Sequence, residues 1–223
     1  MKKILFVLTS HNRKGNTGQA TGFYLPEAAH PWHVLHADGF EIDFVSPQGG
    51  RPPMDGADSA DAISQQFLDN RDVASKLDNT PTPDQIRAAD YSAIFFIGGH
   101  GAMWDFAENN ALSAIASTIY ESGGVVAAVC HGPAALVNLK LPNGEYLVKG
   151  KKVAAFTDEE ERAVKLDKVV PFMLETTLRQ RGALHQPAPN WQANVIVDER
   201  LVTGQNPASA EGTGREISRL LQS

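Results

Sequence analysis

The chain has 223 residues, of which 42% are hydrophobic, and it carries a formal net charge of −6. This length and apolar content fit one domain with a sizeable core, and the acidic balance argues against nucleic acid or an anionic membrane as a partner. The single cysteine excludes an internal disulfide and favours a reducing compartment, so we expect a cytoplasmic protein with no membrane span.

Strand and helix patterns alternate along the first half of the chain. Apolar runs and helical spacing predict, in chain order, a strand at Ile4–Leu8, a helix at Glu27–Asp38, strands at Ile42–Val45 and Ile94–Ile97, and a helix at Ala111–Tyr120. Pro31 is expected to delay the start of the first helix, because proline breaks a helix interior.

The same alternation continues in the second half. The patterns predict strands at Val125–Val129 and Lys152–Phe156, a helical stretch at Glu159–Arg181 that Pro171 divides, a hairpin of Val195–Val197 with Leu201–Thr203, and a last helix from Ser209 onward. This order indicates an α/β fold, a mostly parallel central sheet with helices on both faces.

Two long segments fit this alternation poorly, residues 11–22 and residues 46–83. Both follow strands, and open α/β sheets place their ligand crevice at the carboxyl ends of strands. Long irregular segments serve as lids or binding loops, or they decorate the surface. We interpret them as lid-like insertions in one domain that spans residues 1–223, with surface decoration as the alternative.

The apolar run Val125–Val129 leads directly into Cys130-His131-Gly132-Pro133. The cysteine therefore sits on a tight turn between a buried strand and a following helix, which is the geometry of a nucleophile elbow. A helix N-terminus beside the sulfur favours the reactive thiolate. A lone cysteine in an apolar setting is otherwise a small buried hydrophobe, but the adjacent histidine favours catalysis.

A second glycine-rich motif, Gly98-Gly99-His100-Gly101, follows the strand predicted at Ile94–Ile97. Glycines there let the backbone approach a ligand closely, so its N–H groups, with that of His131, could form an oxyanion hole. The spacing fits neither a phosphate loop nor a dinucleotide fingerprint. The alternative is a plain turn from strand to loop.

Acidic and histidine residues near the first predicted helix are further candidates. Glu27 lies near the helix start, where an acidic residue ordinarily complements the helix dipole. His30, His33 and His36 have a spacing that suggests a metal site, but no carboxylate or thiol is patterned with them. We interpret these histidines as surface or core residues and predict no metal site.

Four motifs together resemble a known family: Ala127–Pro133, Gly98–Asp105, Gly22–Glu27 with His30-Pro31-Trp32, and Leu201–Ser209. They are similar to the PfpI-type, class I glutamine amidotransferase-like superfamily. Within it they resemble the branch of heat-shock chaperones that are also glutathione-independent glyoxalases, called glyoxalase III. The resemblance extends from Lys3 to near the C-terminus and implies a flavodoxin-like α/β sandwich, often dimeric.

The resemblance also implies a set of site residues. The family's nucleophile corresponds to Cys130, its partner histidine to His131, and the glutamate that hydrogen-bonds the cysteine to Glu27. The acidic residue that orients the histidine falls within residues 158–161; we place it at Glu161, with Glu160 as the alternative. Gly99 and His131 supply the oxyanion-hole amides. Metal ligands of some bacterial relatives have no clear counterpart.

One departure from the family pattern lies near this register. Lys165 stands where a small residue, often glycine, is expected.

The chemistry that the resemblance implies is the conversion of methylglyoxal to D-lactate, and of glyoxal to glycolate, through a cysteine hemithioacetal. The enzyme's own thiol takes the place of glutathione, so no cofactor is expected. The expected partners are a small 2-oxoaldehyde and a second copy of the chain. Two alternatives stay open: a stress-responsive holdase chaperone, and a cysteine hydrolase of the same superfamily acting on peptides or glycated amines.

Overall fold

Ten strands and eight α-helices alternate along residues 2–223, the part of the chain that this computed structural model describes. The strands are β1 (Lys3–Val7), β2 (Phe23–Tyr24), β3 (Glu41–Val45), β4 (Met54–Asp55), β5 (Ala93–Phe96), β6 (Val125–Val129), β7 (Lys152–Val153), β8 (Leu184–His185), β9 (Val195–Asp198) and β10 (Leu201–Gly204). The helices are α1 (Leu25–Ala37), α2 (Ala62–Asp69), α3 (Arg71–Asp78), α4 (Ala102–Asp105), α5 (Asn110–Glu121), α6 (Asp158–Ala163), α7 (Leu174–Gln180) and α8 (Ala210–Gln222).

Six strands form the central sheet in the order β3-β1-β5-β6-β10-β9. All neighbours pair in parallel except β9, which pairs with β10 as the predicted antiparallel hairpin. The four inner strands are almost wholly buried, as expected for parallel strands covered on both faces. The predicted flavodoxin-like α/β fold is therefore confirmed. No helix within residues 2–223 combines the length and apolarity needed to cross a bilayer.

Helix α1 begins at Leu25, earlier than predicted, and Pro31 lies inside it. The expectation that this proline delays the helix was wrong. Its ring removes one intrahelical hydrogen bond, and tertiary packing compensates because α1 lies tightly against α8. A Cβ atom on Gly214 of α8 would come within 2.8 Å of the Pro31 Cα.

The segment 46–83 is not irregular throughout, because it contains helices α2 and α3. Asp61 caps α2 by accepting hydrogen bonds from the amides of Ile63 and Ser64. Phe67 of α2 is fully buried and meets Trp32 and Phe44 edge to face. This part of the segment belongs to the core. Residues 11–22, in contrast, form only an isolated bridge between Arg13 and Ala20.

Two further predictions need correction. The strand predicted at Lys152–Phe156 is only two residues long and pairs with β8 outside the central sheet. After Val153 the chain turns toward the end of β6, where the Phe156 amide donates a hydrogen bond to the Cys130 carbonyl. The helical stretch at Glu159–Arg181 is divided, as expected, but α6 already ends at Ala163 and α7 begins at Leu174. Pro171 lies in the connection between them.

Candidate functional site

Cys130 immediately follows β6 and has a φ of 59°, a conformation that is strained for a residue with a side chain. Two hydrogen bonds hold its backbone: its amide donates to the Gly204 carbonyl, and its carbonyl accepts from the Phe156 amide, both at 2.9 Å. The turn lifts the cysteine to the carboxyl edge of the sheet. The structure thus has the elbow that the sequence predicted.

His131 places its imidazole between the cysteine and a carboxylate. Its Nδ1 lies 3.4 Å from the Cys130 Sγ, and its Nε2 lies 2.7 Å from Oε2 of Glu161. Because an ionised carboxylate only accepts hydrogen bonds, Nε2 carries the proton and Nδ1 presents its lone pair to the sulfur. Only 1% of the histidine is exposed, so this orientation is fixed by its surroundings.

Glu161 binds a second imidazole that the sequence analysis did not assign. His100 Nε2 lies 2.7 Å from Glu161 Oε1, and the centroids of the His100 and His131 rings are 4.0 Å apart. Burial opposes ionisation of Glu161, but the two imidazole hydrogen bonds and the positive charge that His131 carries when protonated outweigh it and lower the pKa of Glu161 to about 2. Burial and repulsion from a protonated His131 lower the pKa of His100 to about 4. The carboxylate is therefore ionised and His100 neutral at physiological pH.

Glu160, the alternative to Glu161, points to a different part of the molecule. Its fully buried carboxyl group accepts hydrogen bonds from the side chains of Gln205 and Asn206 and from the amides of Thr157 and Trp191. It forms the capping box of α6 and organises the neighbouring loops. Glu161, not Glu160, therefore lies beside His131.

Glu27 projects from the first turn of α1 into the same site and is completely buried. Neither of its carboxyl oxygens has a partner with hydrogen-bond geometry within residues 2–223. Burial raises its pKa to about 8, although the Cys130 thiol and the Gly98 amide lie close enough to oppose that shift. A Cβ on Gly98 would lie 2.2 Å from Glu27 Oε2 and 2.9 Å from the Cys130 Cβ, so only glycine fits there.

The electrostatics at Cys130 differ from the sequence expectation. Burial and the charge of Glu27 raise the pKa of the Cys130 thiol well above its ordinary value. The element that follows is a five-residue 3₁₀ turn, Gly132–Leu136, rather than an α-helix, so the expected helix dipole is weak. The resting site therefore favours a neutral thiol beside a neutral carboxyl group.

The two amides expected to form an oxyanion hole are both available. Within the described chain, neither the Gly99 nor the His131 N–H donates a hydrogen bond to a backbone or side-chain acceptor. Gly99 has a φ of 103°, and a Cβ there would lie 2.3 Å from the Gly22 carbonyl oxygen. A glycine is thus required for the backbone to reach this position.

A cavity of about 260 Å³ opens over Cys130, Glu27 and His131. Both insertions contribute to its lining, residues 11–22 through Lys14 and residues 46–83 through Asp55, and these two side chains approach to 3.8 Å. A larger cavity of about 610 Å³, lined by Tyr91, Gly124 and Arg200 among others, lies at the opposite end of the sheet and has no cysteine or histidine in its lining. The chemistry-bearing cavity is therefore the smaller one.

Trp191 forms one wall of the cavity over Cys130 and is unusual in two respects. Its φ is 65°, a genuine strain for a bulky aromatic residue, and 48% of it is exposed. The hydrogen bond from its amide to Glu160 Oε1, 2.9 Å long, holds it in place, and its ring packs against Phe156. Sequence reasoning missed this residue, which lies in a loop with no motif.

One group in the described chain has the residue types of a metal site. The ligand atoms of His100, His131 and Glu161 all lie within 4.8 Å of one another. Their 2.7 Å nitrogen–oxygen separations are those of charge-assisted hydrogen bonds, so a metal ion would have to replace the bridging protons. In contrast, His30 bonds Asp61 and His36 stacks on Trp32, away from this site.

Comparison with known proteins gives consistent matches. The sequence profile described as the DJ-1/PfpI family matches residues 19–220. The chain is 36% identical to the glutathione-independent glyoxalase HSP31 of Saccharomyces cerevisiae, over 98% of each chain. The crystal structure of glyoxalase III from Candida albicans superposes with a TM-score of 0.89 at 32% identity, covering 98% of this chain and 97% of that one. The Rapid Encystment Protein 24 KDa of Francisella tularensis superposes with a TM-score of 0.95 at 38% identity, covering 99% of each.

Proposed function

Since the chain belongs to the DJ-1/PfpI family, we propose that it is a glutathione-independent glyoxalase. It converts methylglyoxal to D-lactate and glyoxal to glycolate. One observation carries the proposal: His131 contacts the Cys130 Sγ through Nδ1 and Glu161 through Nε2, and the protonatable Glu27 is buried beside the sulfur. Two of the named relatives, from Saccharomyces cerevisiae and Candida albicans, are glyoxalases by name.

The first step is addition of the Cys130 thiol to the aldehyde carbon. His131 Nδ1 takes the thiol proton as the carbon–sulfur bond forms, and Glu161 stabilises the resulting imidazolium. The developing alkoxide faces the free amides of Gly99 and His131, which stabilise its charge. The imidazolium then returns its proton to the alkoxide, which leaves a neutral hemithioacetal. This route needs no preformed thiolate, which suits the raised pKa of the thiol.

The second step is an isomerisation through an enediol. Glu27 removes the hydrogen from C1 and delivers a proton to C2, while His131 relays the hydroxyl proton from the oxygen on C1 to the oxygen on C2. Glu27 acts in its ionised form: a pKa of about 8 leaves it mostly protonated at rest, so its proton passes to solvent before this step. The carboxylate is then a strong enough base to act near neutral pH. Once the sulfur is bonded to carbon, no ionisable thiol remains beside the carboxylate. The product is a thioester of lactate on Cys130.

Water then hydrolyses the thioester, which releases D-lactate and restores the thiol. Every bond change uses groups of this chain and water, so the reaction needs no external thiol. The 260 Å³ cavity supports a small substrate, since it lies just below the roughly 300–1,000 Å³ of typical ligand pockets.

The direct test is production of D-lactate from methylglyoxal without glutathione, by the wild type and by Cys130→Ser. We expect lactate from the wild type and none above background from the variant. Suppression of aggregation of a client protein is measured on the same samples. Equal lactate yields would exclude the cysteine mechanism. Aggregation suppression without lactate from either protein would favour the holdase alternative. Homodimerisation and a cytoplasmic location stay predictions.

A further inference from the structure

Two imidazoles line the cavity over Cys130, those of His131 and His100. The proposed chemistry uses His131 and assigns no role to His100. Its ring lines the cavity with Cys130 and His131, and 17% of its side chain is exposed. The addition and isomerisation steps use Cys130, His131 and Glu27, with Glu161 orienting the histidine. They leave one step, hydrolysis of the thioester, without a group that holds the attacking water.

The hydrogen bonds of His100 define what its free nitrogen can do. Its Nε2 donates to Glu161 Oε1 at 2.7 Å, because the carboxylate is ionised and only accepts. The proton is thereby fixed on Nε2, so Nδ1 presents a lone pair. Within residues 2–223, Nδ1 makes no hydrogen bond, and it is not among the buried polar atoms that lack a partner. It is thus an acceptor open to a molecule in the cavity.

The ring that carries this acceptor lies close to the cysteine on which the thioester forms, and both line the same cavity. The His100 and His131 rings lie 4.0 Å apart, and His131 Nδ1 is 3.4 Å from Sγ. Gly98, two residues before His100, packs against Cys130 so closely that a Cβ on it would lie 2.9 Å from the cysteine Cβ. The loop that carries His100 therefore borders the atom to which the thioester is attached.

We propose that His100 positions the hydrolytic water by accepting one of its hydrogen bonds at Nδ1. The inference rests on the proposed glyoxalase function and assigns a residue to its last step. The water oxygen attacks the thioester carbonyl, and His131 Nδ1 removes the proton that His100 does not hold. When the tetrahedral intermediate collapses, the carbon–sulfur bond breaks, its electron pair goes to sulfur, and the His131 imidazolium protonates the leaving thiolate. The water proton held by His100 stays on the product as the carboxylic acid hydrogen, which is then lost to solvent.

Two substitutions separate water positioning from support of Glu161. In His100→Gln, the side-chain amide can still donate to Glu161, but no acceptor remains at the place of Nδ1. His100→Ala removes both interactions. His36→Gln is the matched control, because that histidine stacks on Trp32 outside the cavity. Circular dichroism confirms that each variant is folded.

The expected result is specific to a defect in hydrolysis. In His100→Gln we expect kcat and KM to fall together by about tenfold or more, a scale that fits loss of positioning, with kcat/KM unchanged because thioester formation precedes the affected step. Rapid quenching and mass spectrometry should find the methylglyoxal adduct on Cys130 accumulating in this variant, but neither in the wild type nor in His36→Gln.

Three results would overturn the assignment of His100. A fall in kcat/KM without adduct would place the residue in the first half of the reaction. Wild-type kinetics in His100→Gln with a defect only in His100→Ala would reduce its role to holding Glu161. Wild-type kinetics in both would leave it no role. A failure of the glyoxalase proposal is separate, since it shows first as a wild type that forms no lactate.

Discussion

Glu160 and Glu161 are consecutive residues of one short helix, yet their carboxyl groups serve different parts of the molecule. Glu161 reaches the imidazoles of His131 and His100 at 2.7 Å each. Glu160 turns the other way and accepts a hydrogen bond from the amide of the strained Trp191 at 2.9 Å. One turn of helix α6 thus fixes both the orientation of the His131 imidazole beside Cys130 and one wall of the cavity above it.

Substitution of these two glutamates should separate activity from stability. Glu161→Gln removes the charge that orients His131, so we expect turnover to fall by roughly 10²-fold or more with only a modest change in stability. Glu160→Gln turns an amide group toward donors that need an acceptor, and we expect it to cost about 1–3 kcal/mol of unfolding free energy. Steady-state lactate formation and urea unfolding on both variants are the measurements. Equal effects of the two substitutions on turnover would contradict the division of roles.

Glu27 should make the stability of the protein depend on pH. Its pKa is raised from 4.5 to about 8 in the folded state, because the buried carboxyl group is favoured in its neutral form. The unfolding free energy that depends on this neutral form is fully present below about pH 4.5. It is lost as pH rises from there toward 8, because the unfolded state then gains from ionising the group while the folded state does not. Glu27→Gln cannot ionise and escapes this loss. We expect the variant to gain stability relative to the wild type between pH 5 and pH 9, by an amount on the order of a few kcal/mol.

Urea unfolding of the wild type and Glu27→Gln at both pH values measures this gain. A difference that stays constant across the range would show that Glu27 is ionised at neutral pH. The same variant should lose turnover by about 10²-fold or more if Glu27 moves the proton from C1 to C2.

Truncation of Phe67 should destabilise the protein more than most substitutions in the 46–83 segment. Its ring is fully buried against Trp32 and Phe44, so Phe67→Ala should lower the unfolding free energy by about 3–5 kcal/mol. Leu184→Ala, at a residue that is 52% exposed, is the control and should change stability little. A loss below ~1 kcal/mol at Phe67 would mean that helix α2 decorates the surface after all.

Gly98 should tolerate no side chain. The Cβ of Gly98→Ala would come within 2.2 Å of Glu27 Oε2 and within 2.6 Å of the Val129 carbonyl oxygen. Glu27 or the turn at Cys130 must then move. If these residues act as proposed, a displacement of about 1 Å can cost on the order of 10²-fold in rate. Gly212→Ala in α8 is the control, since its nearest contact is a valine methyl at 3.1 Å. Wild-type turnover in Gly98→Ala would contradict the packing described for Glu27.

The sequence predicted the backbone of the site better than its electrostatics. A five-residue apolar run followed by Cys-His-Gly-Pro indicates a buried strand and an elbow on local grounds alone. The raised pKa of the Cys130 thiol was not predictable, because it depends on burial and on Glu27, which lies about a hundred residues away in sequence. Long-range contacts of this kind leave no local pattern.

Glu27 and Glu161 came from resemblance to a family, not from periodicity. Each is an ordinary first-turn glutamate by local criteria, and only the fold brings the two to one cysteine. His100 could have been suspected earlier, since a histidine within a glycine-rich turn after a buried strand has a local signal. Helices α2 and α3 were missed because their apolar positions are few and their caps, Asp61 and Asn70, lie in a polar stretch.

The most direct test of the account compares the wild type with His131→Ala, measuring lactate formed from methylglyoxal without glutathione and suppression of aggregation on the same preparations. The substitution removes the imidazole but keeps the backbone N–H of the oxyanion hole. We expect lactate formation to fall by roughly 10²-fold or more, while the fold and any aggregation suppression persist. Turnover of methylglyoxal by His131→Ala at the wild-type rate would contradict the role assigned to this imidazole.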